Sequence, residues 1–204
     1  MTLLADALSC ERGGLRLFAG LGFALQAGAL LRVRGANGSG KSTLLRTLAG
    51  LTRPSAGVVR WRGDPIGDDY RKEMLFLGHA AAIKDELTVL ENLEFSCRMS
   101  ALETPPGKIK NALEHLGIGR LADLPARYLS QGQRKRAALA RLALSQGVAL
   151  WLLDEPFAAL DDEALAAVSG LCAAHLAAGG MLVLTSHQDY AIAAPDAREI
   201  ALGG

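Results

Sequence analysis

The sequence has no marked excess of charge of either sign and few aromatic residues. Its 22 Lys and Arg residues nearly balance 21 Asp and Glu residues, so the 204-residue chain has a formal charge of +1, and aromatic residues make up 5% of it. A nucleic-acid-binding surface requires a concentrated basic excess. The densest basic run, residues 134–136, is typical of a solvated helix face. We therefore expect no nucleic-acid partner.

Cysteine is also scarce, and a secretory signal is not evident. Cys10, Cys97 and Cys172 are far apart, odd in number and without metal-ligand spacing, which predicts reduced thiols in a reducing compartment. The first residues contain no early Lys or Arg, and Asp6 interrupts their apolar character, unlike a secretory signal. These features favour a cytoplasmic location.

One segment, residues 164–188, contains no charged residue and is long enough on paper to span a bilayer. However, Gly179 and Gly180 interrupt it, and Ser169 and His175 place polar groups along it. A buried helix followed by a buried strand fits this pattern better. We therefore expect any membrane association to depend on a partner.

Apolar segments alternate with helical patterns along most of the chain. The first thirty residues, with short apolar bursts separated by glycines, predict an antiparallel hairpin or meander. Apolar strands that alternate with helices are typical of an α/β fold with a mainly parallel sheet covered on both faces. The predicted strands are residues 30–33, 58–62, 74–77, 149–153 and 181–185, and the predicted helices are residues 41–51, 88–101, 108–116, 131–145 and 162–178.

The length of the chain predicts one globular domain over residues 1–204. The helical patterns between residues 87 and 129 have no strand among them. We expect them to form a small helical subdomain inserted into the α/β core.

The strongest motif is GANGSGKS at residues 35–42, which satisfies GxxxxGK[ST] between a predicted strand and a predicted helix. Glycines let the backbone curl so that several N–H groups point at a phosphate, and the helix N-terminus adds favourable partial charge. Lys41 supplies a cation to the β- and γ-phosphates, and Ser42 offers a hydroxyl to Mg²⁺. The predicted nucleotide-binding residues are Gly35, Ala36, Asn37, Gly38, Ser39, Gly40, Lys41, Ser42 and Thr43.

A second motif, ALWLLDEP at residues 149–156, places two adjacent carboxylates at the end of an apolar strand. Ligands of open α/β sheets bind at this edge. Adjacent side chains at a strand end point in different directions, so Asp154 can address Mg²⁺ while Glu155 reaches a water in line with the γ-phosphate. The pair therefore divides into a metal ligand and a general base.

A third motif narrows the class of protein, because P-loops also occur in kinases, GTPases and helicases. The segment LSQGQRKRAALARLAL at residues 129–144 resembles the LSGGQ signature of ABC ATPases at the start of a helix. Two more segments occupy family positions: Asp161 in FAALD matches the D-loop, and His187 in TSH matches the switch histidine that contacts the γ-phosphate. The signature residues are Ser130, Gln131, Gly132 and Gln133.

This resemblance to an ABC nucleotide-binding domain covers essentially the whole chain and implies a P-loop NTPase core with an antiparallel β subdomain. It implies ATP and Mg²⁺ as ligands. It also implies a head-to-tail dimer in which the P-loop of one protomer and the signature of the other hold one ATP. Because the chain has one copy of each motif, we expect a homodimer or a pairing with another ATPase chain.

The segment LGHAAAIKDELTVLENL at residues 77–93 corresponds to the Q-loop, whose glutamine contacts Mg²⁺ and the attacking water. The family interval before LTVLENL places His79 at that position, and the neighbouring register places Ala80 there. We prefer His79, because Ala80 has no polar side chain. The pattern GHxxxIKxELTxLENL, with CER at residues 10–12, resembles the ATP-binding subunits of the haem exporters of cytochrome c maturation, whose members usually have Gln after the His.

That second resemblance implies integral-membrane subunits as partners and a peripheral position on the cytoplasmic face of the inner membrane. It also implies that ATP hydrolysis releases a haem-loaded chaperone on the far side. Where ABC domains stack an aromatic residue on adenine, this sequence has Arg12, whose guanidinium can lie flat on a purine. We expect weaker or less selective base recognition.

The sequence is compatible with three functions. The preferred one is a transporter-type ATPase subunit, of this or another small exporter. A soluble ABC ATPase that acts on ribosomes or DNA usually has two linked domains or a long insertion. The function of a small-molecule kinase would not explain the LSQGQ segment or the switch histidine.

Overall fold

The computed structural model describes residues 1–100, 102, 104–105, 107–145 and 147–203. Their contacts divide the chain into two compact units. The core unit comprises Met1–His79, Val148–Pro156 and Ala174–Gly204, and the helical unit comprises Ala80–Gly147 and Phe157–Ala173. The helical unit thus extends beyond the insertion predicted at residues 87–129, and the single-domain organisation of residues 1–204 stays a prediction.

The core unit contains an antiparallel sheet at the beginning of the chain. Its first two strands form a hairpin through Gly13 and Gly14, which both have positive φ, as this tight connection requires. This confirms the predicted hairpin. The next strand ends at Trp61 rather than at the predicted residue 62, because Arg62 adopts a φ of 55°. In spatial order the strands are β2 (Leu15–Gln26), β1 (Thr2–Arg12), β4 (Ala56–Trp61) and β5 (Asp64–Pro65).

The second sheet of the core unit is parallel throughout and carries the apolar strands predicted from the sequence. Every residue of β7 (Leu150–Asp154) and β8 (Met181–Thr185) is buried, which suits central strands covered on both faces. The edge strand β9 (Asp196–Ala201) was not predicted, because three of the six residues in its sequence DAREIA are charged, and the strand is mostly exposed. In spatial order the strands are β6 (Met74–Leu77), β7 (Leu150–Asp154), β8 (Met181–Thr185), β3 (Ala29–Arg34) and β9 (Asp196–Ala201).

Helix α1 (Lys41–Leu48) packs against β7 and β8. Its predicted end at residue 51 is wrong, because Gly50 adopts a φ of 69° and closes the helix after Ala49. A short helix, α2 (Asp68–Lys72), was not predicted. Its Tyr70 is buried and donates a hydrogen bond to the Leu48 carbonyl at 2.8 Å, which fixes the end of α1.

The helical unit holds α3 (Val89–Met99), α4 (Lys108–His115), α5 (Gln131–Leu139), α6 (Arg141–Leu144) and the part of α7 (Asp162–Ala177) up to Ala173. The predicted continuous helix over residues 131–145 is wrong at Ala140. There the bonding tightens, since the Ala143 N–H donates to the Ala140 carbonyl at 3.2 Å. The predicted end of α3 at Ala101 lies outside the described residues.

The uncharged segment at residues 164–188 forms most of α7, followed by the buried strand β8, which confirms the predicted helix and strand. None of the helices in the described part of the chain is both long and apolar enough to cross a membrane.

Candidate nucleotide-binding and hydrolysis site

The loop between β3 and α1 is shaped by glycines that no other residue can replace without strain. Gly35, Gly38 and Gly40 have φ values of 149°, 82° and 98°. A Cβ on Gly35 would lie 2.4 Å from Ser39 Oγ and 2.6 Å from the Leu202 carbonyl oxygen. Gly40 caps α1 without any side-chain hydrogen bond, so the first N–H groups of the helix have no side-chain acceptor. The loop is therefore built to surround an anion with backbone donors.

Lys41 lies inside this loop. Its side chain is buried, and Nζ donates to the carbonyls of Gly35 at 2.7 Å and Ala36 at 3.0 Å. Within the described part of the chain no carboxylate pairs with it. Ser39 Oγ is also buried and has no hydrogen-bond partner there. A buried ammonium without a counter-charge and an unpartnered hydroxyl are both satisfied by phosphate oxygens.

The two acids at the end of β7 share one hydroxyl. Thr185 Oγ1 donates to Asp154 Oδ1 at 2.7 Å and accepts from the Glu155 N–H at 2.8 Å. Asp154 is 4% exposed, whereas Glu155 is partly exposed and adopts a φ of 49°. The acids therefore point differently, as predicted: one carboxylate is buried at the sheet edge, and the other lies at the surface of the core unit.

Two imidazoles flank the Glu155 carboxylate. His187 Nε2 lies 2.9 Å from Oε1, within hydrogen-bond distance. His79 Nδ1 lies 3.7 Å from Oε2, and the His79 side chain is 73% exposed. The structure thus brings together three residues that the sequence analysis selected separately, from the ends of β6, β7 and β8.

The oxygen donors fit Mg²⁺. Asp154 Oδ1 is occupied by Thr185, which leaves the other carboxylate oxygen, and the Ser42 hydroxyl stands in the first turn of α1. Nowhere in the described ranges do three or more His, Cys, Asp or Glu side chains cluster to hold a metal ion. Mg²⁺ commonly takes only one or two protein oxygens and completes its shell with phosphates and water. The residues present therefore match a metal ion that arrives with a nucleotide.

The predicted signature forms the start of α5 in the helical unit. Ser130 and Gln133 form a reciprocal capping box: Gln133 N–H donates to Ser130 Oγ at 3.2 Å, and Ser130 N–H donates to Gln133 Oε1 at 2.9 Å. Because Ser130 Oγ accepts this bond, its own O–H is left to donate to a ligand. Gly132 lets α5 lie close to the segment around Ala159, since a Cβ there would lie 3.4 Å from the Ala159 carbonyl oxygen.

Asp161, the predicted D-loop residue, caps a helix. Its Oδ1 accepts from the Ala164 N–H at 3.0 Å at the start of α7, and its Oδ2 pairs with Arg136 of α5. Arg134 of the same helix pairs with Asp85. The basic run at residues 134–136 thus ties the signature helix to two neighbouring segments of the helical unit.

Arg12 is exposed at the end of β1, where the hairpin turns through Gly13 and Gly14. The following strand approaches the P-loop, since a Cβ on Gly40 would lie 3.0 Å from Leu17 Cβ and 3.3 Å from Phe18 Cδ1. The role of Arg12 toward adenine stays a prediction.

The roles of Thr185 and Arg34 at the site were not predicted from the sequence. Arg34, the last residue of β3, pairs with Asp189 and, at 2.6 Å, with Glu199 Oε2, so it ties the segment after His187 to the strand that enters the P-loop. Thr185 carried a usable signal: it is the one hydroxyl at the end of the otherwise apolar strand MLVLT.

Comparisons with known proteins agree with this geometry. The family model described as ABC transporter matches residues 18–158. The cytochrome c biogenesis ATP-binding export protein CcmA of Dechloromonas aromatica is 48% identical over 98% of this chain and 100% of its own. The protein of that name from Salmonella typhi is 44% identical over 99% and 97%. A solved putative ABC transporter ATP-binding protein from Pyrococcus furiosus superposes with a TM-score of 0.80 at 22% identity, covering 98% of this chain and 97% of its own.

Proposed function

We propose that this chain, which belongs to the ABC transporter family and to its cytochrome c biogenesis ATP-binding export proteins, is the ATP-binding and hydrolysing subunit of an exporter. The exporter serves c-type cytochrome biogenesis, and hydrolysis powers the release of a haem-loaded chaperone. The observation that carries the chemistry is the Glu155 carboxylate, which lies 2.9 Å from the His187 imidazole and 3.7 Å from the His79 imidazole, in the same unit as a glycine-shaped phosphate loop.

The P-loop binds the nucleotide through its backbone. The N–H groups at the start of α1 point at the phosphates, and Lys41 Nζ moves from the carbonyls of Gly35 and Ala36 to phosphate oxygens. The ammonium then balances the negative charge that develops on the γ-phosphate during transfer. Binding thereby orients ATP with its γ-phosphate toward the ends of β7 and β8.

Glu155 acts as the general base. Its carboxylate accepts a proton from the attacking water and orients that water in line with the γ-phosphate. His187, at 2.9 Å, fixes the Glu155 side chain and reaches the γ-phosphate as the switch histidine. Asp154 and Ser42 would hold Mg²⁺, which would supply positive charge to the β- and γ-phosphates.

His79 takes the polar role of the Q-loop in this chain. Its Nδ1 lies 3.7 Å from Glu155 Oε2, whereas His187 contacts Oε1, and this supports a contact of His79 with the attacking water. Ala80, the neighbouring residue, offers no polar atom for this purpose. We expect His79→Ala to lower the basal ATPase rate. An unchanged rate would assign the loop to docking of the membrane partner alone.

The signature acts on a second nucleotide. In the proposed dimer of two copies, the free O–H of Ser130 and the N-terminus of α5 bind the γ-phosphate of the ATP held by the opposite P-loop. The dimer attaches to integral-membrane subunits on the cytoplasmic face of the inner membrane. ATP favours its closed form, and hydrolysis allows it to open.

The test is to isolate the chain from membranes in mild detergent, identify the integral proteins that accompany it, and measure ATP hydrolysis by the assembly. Glu155→Gln should retain ATP binding and lose hydrolysis, because an amide cannot accept the proton. Glu114→Gln, a change of the same type on the exposed surface of α4, serves as the matched control. Full activity of Glu155→Gln, or recovery only with ribosomes, would contradict the proposal.

A further inference from the structure

Thr185 stands out in its strand. The other residues of β8 are Met, Leu, Val and Leu, and all five are buried. Thr185 itself has 0% exposure, and a valine of the same shape would fill the same space without bringing a polar atom into the interior. Its hydroxyl is therefore retained for hydrogen bonding rather than for packing.

The hydroxyl contacts both acids of the site and uses both of its capacities. Asp154 and Thr185 are paired across the parallel strands β7 and β8, so the side chains leave the sheet edge next to each other. The donated bond to Asp154 Oδ1 fixes the carboxylate rotamer and leaves Oδ2 as the oxygen for a metal ion. The accepted bond from the Glu155 N–H satisfies a backbone donor at the point where the chain leaves the strand.

The accepted bond also holds an unfavourable backbone conformation. Glu155 has a φ of 49°, which costs a non-glycine residue free energy unless the surroundings support it. This conformation turns the Glu155 side chain toward His187, two residues beyond Thr185, to give the 2.9 Å contact. One hydroxyl thus sets the orientation of the metal-ligand candidate and of the base together.

We propose that Thr185 is a positioning residue for ATP hydrolysis: it orients Asp154 toward Mg²⁺ and Glu155 toward the attacking water without touching the nucleotide. This rests on the proposed ATPase function. Thr185→Val removes both hydrogen bonds and keeps the shape, whereas Thr185→Ser keeps the hydroxyl. Thr47→Val is the matched control, because Thr47 is equally buried in the core unit and its hydroxyl bonds only to the Thr43 carbonyl of its own helix.

The first measurement is of binding, and it is independent of turnover. The affinity of the full chain for a non-hydrolysable ATP analogue is determined by calorimetry with Mg²⁺ and with EDTA. We expect the gain in affinity due to Mg²⁺ to fall about 10-fold or more in Thr185→Val, as for other partners of metal ligands, with EDTA values unchanged. Thr185→Ser and Thr47→Val should retain the gain.

The second measurement is ATP hydrolysis by the assembled exporter. Thr185→Val should lower kcat by about 10- to 100-fold, with a smaller change in KM for ATP, and Thr185→Ser should restore most of it. Wild-type dependence on Mg²⁺ together with wild-type kcat in Thr185→Val would overturn the inference. If Thr185→Val does not fold, Thr185→Cys, which offers a weaker donor of similar size, is judged by the same two outcomes.

The two proposals fail differently. An active wild-type assembly with an unaffected Thr185→Val refutes the positioning role alone. A wild-type assembly that does not hydrolyse ATP refutes the proposed function, and the calorimetric comparison still decides whether Thr185 orients Asp154.

Discussion

The hydrolysis site of the core unit and the signature segment of the helical unit are held in place by different forces. The core site rests on buried strand ends, with Asp154 and Thr185 almost fully excluded from solvent. The signature rests on a capping box at an exposed serine and on ion pairs that join arginines exposed by 25% or less to aspartates exposed by 56%. Buried hydrogen bonds are costly to break, whereas exposed ion pairs contribute little. The proposed chemistry thus rests on buried groups within the chain, whereas the serine of the predicted signature lies at the surface.

The largest effect should come from the core site. Gly35→Ala places a Cβ 2.4 Å from Ser39 Oγ and 2.6 Å from the Leu202 carbonyl, at a φ of 149°. The P-loop must shift, and a displacement of about 1 Å at a reacting group can cost about 100-fold in rate. We expect an ATPase loss of at least that size in the assembled protein.

The control for Gly35→Ala is Gly22→Ala. Gly22 lies on the exposed side of β2, has no positive φ, and a Cβ there would have no neighbour closer than 3.7 Å. Near-normal turnover in Gly35→Ala would show that the loop adjusts to the added methyl group. It would contradict the view that the core site is held more firmly than the signature segment.

The next effect concerns the stability of the helical unit, where the buried side chain of Asn92 makes hydrogen bonds of the kind found at the core site. Asn92 is 2% exposed, accepts from the Lys84 N–H at 2.7 Å and donates to the carbonyls of Lys84, Leu87 and Thr88. Asn92→Ala strands the Lys84 N–H and carbonyl, whereas the Leu87 and Thr88 carbonyls keep backbone donors, so the free energy of unfolding should fall by about 2 to 3 kcal/mol. Urea denaturation measures it, with exposed Asn111→Ala as control. Equal losses in both variants would contradict the assignment.

A pH dependence should arise in the core unit. His175 is buried, stacks on Trp151 with ring centroids 3.9 Å apart, and burial lowers its pKa below the ordinary 6.5. The unfolded chain therefore binds a proton at a higher pH than the folded chain does. Stability from this residue is complete above about pH 6.5 and is lost as pH falls below it, by at most about 1.4 kcal/mol per pH unit.

Denaturant unfolding at several pH values measures this slope, and His175→Gln should reduce it. The matched control is His115→Gln on α4, which lies at the surface. If His115→Gln reduced the slope as much as His175→Gln did, buried His175 would not be its source.

The smallest effect should be at the signature. Ser130→Ala removes the cap of α5, which is worth about 1 kcal/mol. It should leave the ATP affinity of the separate chain unchanged and lower hydrolysis in the assembled dimer, because the proposed role of the hydroxyl is to bind the nucleotide of the opposite protomer. Calorimetry and turnover measurements separate the two. Weaker ATP binding by the separate chain would place Ser130 at its own nucleotide instead.

The elements that could be predicted from sequence are those with strong local signals. Strand 74–77 was predicted at its observed bounds, and the acids at 154 and 155 follow from an apolar run that ends in two carboxylates. The edge strand β9 could not be predicted, because its sequence has no apolar strand pattern and its extended conformation depends on backbone pairing with β3. The shared hydroxyl of Thr185 was hidden for a related reason: residues 31 positions apart become neighbours only when β7 and β8 pair.

The position of Lys41 bears on how readily the nucleotide is accepted. Its ammonium already bonds to two carbonyls of the loop that surrounds it, so the curved backbone is braced from within. A phosphate that binds therefore meets a donor that already lies within the loop, and the loop and the Lys41 side chain lose little further conformational entropy. Binding then exchanges the carbonyl acceptors of Lys41 Nζ for phosphate oxygens. After each turnover the same carbonyls can accept these hydrogen bonds again, and the loop keeps its shape.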